Sequence, residues 1–165
     1  MSSPFADLGV PDALVRVLDA QGITQPFPIQ TATIPDGLAR RDIQAQAPTG
    51  AGKTLAFGLP LVATVERAEP RKPKALILVP TRELAEQIHR DLAPLAAAVG
   101  RRIAPVYGGV SFGPQLAALR KGVDIVVACP GRLTDLVNQG VADLSDVNQV
   151  VLDEADRMAD RKSVV

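Results

Sequence analysis

The stretch Ala47-Pro48-Thr49-Gly50-Ala51-Gly52-Lys53-Thr54 has the residue types and spacing of a loop that cradles phosphate. Gly50 and Gly52 let the backbone turn tightly, so that successive N–H groups point into one concavity able to hold an anion. Thr49, Gly50, Ala51 and Gly52 form the cradle, and a helix N-terminus behind it adds its positive dipole end. Lys53 can reach the β- and γ-phosphates, and the Thr54 hydroxyl suits Mg²⁺. The strict pattern opens on Gly, and here Ala47 stands first. The plainer alternative is a glycine-rich turn that happens to carry Lys and Thr. The flanks favour the cradle: Arg41 to Gln46 reads as a short strand, and Leu55-Ala56-Phe57 as a helix start.

A second acidic stretch completes such a site. Asp153 follows the apolar run Val150-Val151-Leu152, where a strand-end carboxylate can hold Mg²⁺ directly or through water. Glu154 beside it can orient and deprotonate an attacking water. By itself the pair is equally well read as an acidic helix start that favours the helix dipole. Taken with residues 47–54, it points to a Mg²⁺-dependent nucleoside triphosphatase with a phosphate loop.

These residues need a scaffold, and the sequence supplies an alternating one. Pro11 to Gln21 reads as a helix with an apolar stripe of Leu14, Val17 and Leu18, ended by Gly22. A second helix opens at Pro28 and carries Ile29, Thr33, Ile34 and Leu38 at helical spacing, with a bend expected at Pro35. The helix after the phosphate loop is expected to reach about Ala68. Glu69 to Lys74 is a charged, proline-bearing connector. Ala75 to Val79 is a continuous apolar run, as in a buried parallel strand. Thr81 can cap a helix that runs to about Val99. Strands follow over 102–107, 124–128 and 147–152, with helices over about 114–119 and from Cys129 to Asn138. This rhythm predicts an α/β domain whose mostly parallel sheet is covered by helices on both faces. Ligands bind such sheets at the carboxyl ends of the strands, where every unusual loop of the sequence falls.

The 165 residues suffice for one α/β domain. Lys plus Arg equals Asp plus Glu at 18 each, so any basic surface must be local rather than global. With one cysteine, Cys129, no internal disulfide can form, which fits a reducing cytoplasm. The N-terminus lacks the basic and apolar regions of a signal peptide, and no apolar run approaches a membrane span.

Asp153-Glu154-Ala155-Asp156 spells the signature of the DEAD-box ATP-dependent RNA helicases, and the resemblance extends along the chain. Residues 22–30 resemble that family's Q motif, and 47–54 its motif I. Pro80-Thr81-Arg82-Glu83-Leu84-Ala85 is similar to motif Ia, Gly108-Gly109 to the following glycine pair, and Ala128-Cys129-Pro130-Gly131-Arg132 to motif Ib. The resemblance implies a RecA-like phosphate-loop domain that uses ATP and Mg²⁺. It implies that Gln25 and Gln30 belong to the adenine site, that Gln30 reads the adenine edge, and that Phe5 stacks on the base. It implies sequence-independent contacts to the RNA backbone from Pro80, Thr81, Arg82, Gly108, Gly109, Pro130, Gly131 and Arg132. Without the family, each of those loops reads equally as a helix cap with a surface arginine. Asp156 would couple the motifs to one another.

The chain departs from the family pattern at several points. Ile23 replaces the usual aromatic of the Q motif, Phe27 its usual Thr or Ser, and Cys129 the usual Thr of motif Ib. His89 matches no catalytic position and reads as a surface residue. Beyond residue 160 the sequence leaves the family pattern, which continues into a Ser-Ala-Thr motif and a second RecA-like domain carrying arginine fingers. In this fold the strand leading to that motif lies between the phosphate-loop strand and the strand ending at Asp153. The sheet is therefore expected to lack an interior member and to show unpaired strand edges. Two rival readings remain: another nucleic-acid translocase of the same superfamily, or a nucleotide- and RNA-binding fragment with no activity of its own.

Overall fold

A computed structural model describes residues 2–48 and 52–159. Thr49, Gly50 and Ala51 of the phosphate loop, and the tail 160–165, lie outside the described residues. The chain divides into two compact units, Met1–Thr64 with Pro94–Gly100, and Val65–Ala93 with Arg101–Val165.

The first unit is helical. Helix α1 (Pro4–Asp7) is capped by Ser3, whose hydroxyl accepts the Phe5 N–H at 3.3 Å. In α2 (Asp12–Ala20) the residues at helical spacing, Leu14, Val15 and Leu18, are buried, while Val17 is only half-buried. Helix α3 (Pro28–Leu38) starts at Pro28 as the sequence suggests and continues through Pro35. It packs against α4 (Lys53–Thr64). The two approach so closely that a Cβ on Gly37 would lie 2.7 Å from Pro60 Cγ.

Two expectations fail in this region. Residues 41–48 are almost wholly exposed, and they form no strand. A strand needs a neighbouring edge to satisfy its N–H and C=O groups, and none pairs with this segment among the described residues. Helix α4 also stops at Thr64 rather than near Ala68. The backbone beyond is bonded instead within the second unit: Val65 C=O accepts Arg101 Nε at 2.9 Å, and Ala68 N–H donates to Asp124 Oδ1 at 2.6 Å.

The second unit is built on a four-stranded, wholly parallel sheet. Its strands are β1 (Ala75–Leu78), β2 (Ile103–Val106), β3 (Ile125–Ala128) and β4 (Gln149–Leu152), in the order β2-β3-β1-β4. They alternate with α5 (Arg82–Ala98), α6 (Phe112–Lys121) and α7 (Pro130–Asn138), and after β4 comes α8 (Ala155–Ala159). A single 3-10 turn at Leu144–Asp146 precedes β4. One core joins Leu76, Val106, Val126 and Ala128 of the sheet to Leu119 of α6 and Leu133 and Leu136 of α7. Ala75, Ile77, Ile125 and Val127 alternate to the opposite face and are buried there, so β1 and β3 are covered on both sides. β4 differs: it pairs with β1 alone, and Val150 and Leu152 are more than half exposed. Among the described residues its other edge carries no strand.

The start of the sheet is tied together by one buried carboxylate that the sequence reading gave no task. Asp124 Oδ1 accepts Ala68 N–H and Oδ2 accepts Arg102 N–H, each at 2.6 Å. Its main chain joins Arg102 C=O and the N–H groups of Lys74 and Ala75. Replacing Asp124 by Ala leaves two backbone donors without a charged acceptor, at a cost of about 3–4 kcal/mol. The urea midpoint of Asp124→Ala is expected to fall accordingly, with Asp124→Asn between it and the parent.

Candidate nucleotide and nucleic-acid sites

In the first unit, the loop before α3 and the start of α4 are joined by one side chain. Gln30 is 1% exposed. Its Oε1 accepts Phe27 N–H at 2.9 Å, and its Nε2 donates to Gly52 C=O at 3.1 Å. The same carbonyl accepts the Ala56 N–H at 3.2 Å as α4 begins. Gly52 has φ +79°, and a Cβ there would collide with both Gln30 Nε2 and Phe27 Cδ2. Glycine is therefore required at this position for conformation and for space. Lys53 and Thr54 follow as the first residues of α4. Gln25 is exposed on the turn before α3.

Phe5 does not match its expected role. It is fully buried within α1, so neither ring face is open to a base; it anchors the N-terminal helix. Phe27, expected only as a departure from pattern, is half exposed beside Gly52.

In the second unit, register brings the chemistry-bearing loops to one edge. Leu78 is level with Ala128 and Leu152, and Ala128 with Val106, so all four strands end together. Thr81-Arg82, Gly108-Gly109, Pro130-Gly131-Arg132 and Asp153-Glu154 all leave that edge. Thr81 Oγ1 accepts Leu84 N–H at 3.2 Å and so caps α5 as expected. Pro80 is buried, so its side chain is closed to a ligand; its part is to end β1.

Both arginines are held in place by their neighbours. Arg82 Nε donates to Glu86 Oε1 at 3.4 Å, and its guanidinium carbon lies 5.3 Å from the centre of the Tyr107 ring. Tyr107 OH donates to the same Glu86 oxygen at 2.8 Å. This bond is the largest cause holding the Glu86 carboxyl below its ordinary value; it also pushes the Tyr107 hydroxyl up. Arg132 stacks 3.8 Å over the Phe112 ring. Its Nη1 donates to Gln115 Oε1 and its Nη2 to Val110 C=O, both at 3.3 Å. Buried Gln115 in turn donates to Tyr107 C=O at 3.0 Å. Gly108, Gly109 and Gly131 are exposed. Glu86, Tyr107, Phe112 and Gln115 were missed from sequence, because only the fold brings them to the arginines; a Glu four residues after Arg82 was the one local signal.

At the end of β4, Asp153 is buried, and its N–H donates to Leu78 C=O at 3.0 Å. Glu154 has φ +54°, a conformation uncommon outside glycine. Its Oε2 accepts Arg157 Nη1 at 2.7 Å, and its carbonyl accepts the Arg157 N–H as α8 begins. Asp156 is exposed in the first turn of α8. Cys129 takes the N-cap position of α7 without a side-chain cap bond. His89 is not the surface residue expected: it is half-buried, and desolvation lowers its pKa against a hydrogen bond to the Ile103 backbone that raises it. Among the described residues, no helix is long and apolar enough to cross a membrane.

Taken together, the parallel sheet and the loops at its carboxyl edge define an α/β domain of RecA-like type. The sequence profile of the DEAD/DEAH box helicases matches residues 27–164. The chain is 46% identical over 161 residues to the maize "DEAD-box ATP-dependent RNA helicase 3A, chloroplastic", covering 93% of this chain and 21% of that one. It is 46% identical over 165 residues to the "ATP-dependent RNA helicase RhlB" of Sodalis glossinidius, covering 94% and 39%. The crystal structure of the RNA-helicase Prp28 from Chaetomium thermophilum bound to ADP superposes with a TM-score of 0.86 at 40% identity, covering 94% of this chain and 39% of that one. The chain belongs to the DEAD/DEAH box helicase family. It spans between about a fifth and two-fifths of the length of these relatives.

The Glu86–Tyr107 bond can be read directly, because Tyr107 is the only tyrosine and the chain has no tryptophan. In an alkaline absorbance titration the parent is expected to form tyrosinate above the ordinary 10.0. Glu86→Gln removes the negative charge that opposes ionisation, so its titration is expected at lower pH than the parent's.

Proposed function

We propose that this chain is the ATP-binding, RNA-engaging domain of an ATP-dependent RNA helicase, in which ATP hydrolysis is coupled to local separation of RNA duplexes. The observation that carries the reading is the convergence of four motif loops at one edge of the sheet, held level by strand register. The relatives named above, called ATP-dependent RNA helicases, support the same activity. The domain is proposed to work with a second RecA-like domain that supplies arginine fingers. The chain's small share of its relatives' length supports that arrangement. The single cysteine, Cys129, supports work in a reducing compartment, which we take to be the cytoplasm.

The roles follow from the chemistry of each residue. The loop 49–54 wraps the phosphates, and Lys53 neutralises charge on the β- and γ-groups. Thr54 offers a hydroxyl and Asp153 a carboxylate to Mg²⁺; both are hard oxygen donors, as this ion prefers. When bound, Mg²⁺ neutralises charge that develops on the phosphates. Glu154 positions and deprotonates the attacking water, for which its carboxylate must leave Arg157. While that pairing holds, Glu154 is a poor base, so residues 1–165 by themselves are proposed to turn over ATP slowly. Arg82, Arg132 and the exposed Gly108, Gly109 and Gly131 grip RNA phosphates without reading sequence, Thr81 orders the start of α5 beneath them, and Asp156 couples the two functions.

Two experiments test this. A nucleotide that binds only the folded chain raises its melting midpoint. At a hundredfold excess over Kd, Mg²⁺-ADP is expected to add about 2.7 kcal/mol, a rise of roughly 5–10 °C. Lys53→Ala should abolish the shift, and a parent that does not respond to Mg²⁺-ADP would overturn the nucleotide reading. For the RNA face, Arg82→Ala is expected to weaken binding to single-stranded RNAs of different sequence alike. It should also reduce the slope of log K against log salt by about 0.7, because one phosphate fewer is neutralised and its counterion is no longer released.

A further inference from the structure

Three stretches with no part in the motif loops meet at the other end of the sheet, where the strands begin. They are the connector before β1, the residues that lead into β2, and the turn from α6 to β3. Asp124 joins them: its carboxylate takes the N–H groups of Ala68 and Arg102, and its carbonyl takes those of Lys74 and Ala75. Further bonds hold the same stretches together. Arg71 N–H donates to Leu119 C=O at 2.8 Å, and Arg101 Nε to Val65 C=O at 2.9 Å.

Each stretch brings cations to that end. Arg67, Arg71, Arg102, Arg120 and Lys121 are exposed, and among the described residues none of them is in an ion pair. Lys72 and Lys74, by contrast, face Asp143 and Asp146 at 3.9 and 3.8 Å. The exposed acidic groups in the same stretches are Glu66 and Glu69. A chain of zero net charge therefore carries a local excess of positive charge where its sheet begins. Arg120 and Lys121 lie in the last turn of α6, where cations offset the helix dipole. That task does not extend to Arg67, Arg71 and Arg102, which lie outside the helices.

We propose that this end of the sheet is a second, sequence-independent grip on the RNA backbone, taken by a segment of the same RNA that runs on past the motif loops. The proposal rests on the RNA-engaging reading above and extends it to the opposite edge. Guanidinium groups match phosphate oxygens two N–H groups at a time. The patch also lacks the apolar centre that a protein partner would need: among the described residues, none of the exposed large hydrophobic side chains falls in these stretches. The two edges are separated by strands of four residues, about 13 Å, and the loops that flank them, a span one RNA strand can cover.

The test follows the fluorescence anisotropy of labelled oligouridines of about 6 and about 25 nucleotides over a range of salt. With Arg67→Gln, Arg102→Gln and Arg120→Gln combined, the slope of log K against log salt is expected to fall by about 2 for the long RNA, because three phosphates fewer are neutralised. The short RNA reaches one edge at a time and should keep its affinity for the motif loops. Lys at the same three positions keeps the charge and should restore the parental slope. Circular dichroism melting checks that the triple variant folds. The single variants, each expected to lower the slope by about 0.7, carry the test if it does not. Unchanged slope and affinity for the long RNA overturn the proposal, and loss of binding to polyglutamate in that same variant would assign the patch to an acidic protein instead. An equal loss for both RNAs also overturns it, since that is the chain's overall field rather than a second site. If Arg82→Ala leaves RNA binding intact while the triple variant weakens it, the motif-edge reading falls and the grip at the start of the sheet stands. If the parent binds neither RNA, both fall.

Discussion

The Asp124 carboxylate is the constraint on which the second unit depends. Buried at the head of β3, it takes the N–H groups of Ala68 and Arg102, while its own main chain bonds to Arg102, Lys74 and Ala75. Three strands are thereby fixed level at their starts. Since β1, β2 and β3 are each four residues long and β4 is in register with β1, all four also end level. The loops that leave those ends lie along one edge as a result of a bond at the other. A carboxylate at the opposite end of the strands thus helps to set where four motif loops leave the sheet.

The arginines at that edge show a second constraint. A free guanidinium on a surface loop has many rotamers, and ordering it on a ligand costs entropy. Here Glu86 and the Tyr107 ring hold Arg82, and Phe112, Gln115 and the Val110 carbonyl hold Arg132. Gln115 also bonds to the Tyr107 carbonyl, so α6, the loop after β2 and the start of α7 are linked through one buried amide. Each guanidinium keeps N–H donors beyond these bonds. The same carboxylate that orients Arg82 also competes with an anion for it, so its charge sets a balance between order and availability.

In the first unit, a residue with an expected contact to a ligand also makes structural ones. Gln30 spends its amide on Phe27 N–H and Gly52 C=O, joining the turn before α3 to the start of α4. A buried amide left without partners would be costly, so the bond is as much a demand of burial as of function. It also explains why Gly52 tolerates no side chain: the space a Cβ would need is filled by Gln30 and Phe27.

The sequence by itself determined what short-range chemistry controls. Pro28 and Thr81 start helices where expected, Gly22 follows the end of α2, and the apolar runs at 75–78 and 125–128 are strands buried on both faces. The motif spacing also placed the phosphate loop ahead of α4 and the acidic pair after β4. Only the tertiary structure decided what depends on a distant partner. Residues 41–46 have a strand-like pattern but, among the described residues, no edge to bond to, and α4 stops at Thr64, past which the backbone bonds to Arg101 and Asp124. The burial of Phe5 and Gln30, the exposure of Phe27 and Leu152, the half-burial of His89 and the Glu86–Tyr107 bond are likewise invisible in the chain order. The reason is that propensity and spacing act over a few residues, whereas burial and hydrogen-bond satisfaction are settled by groups tens of residues away.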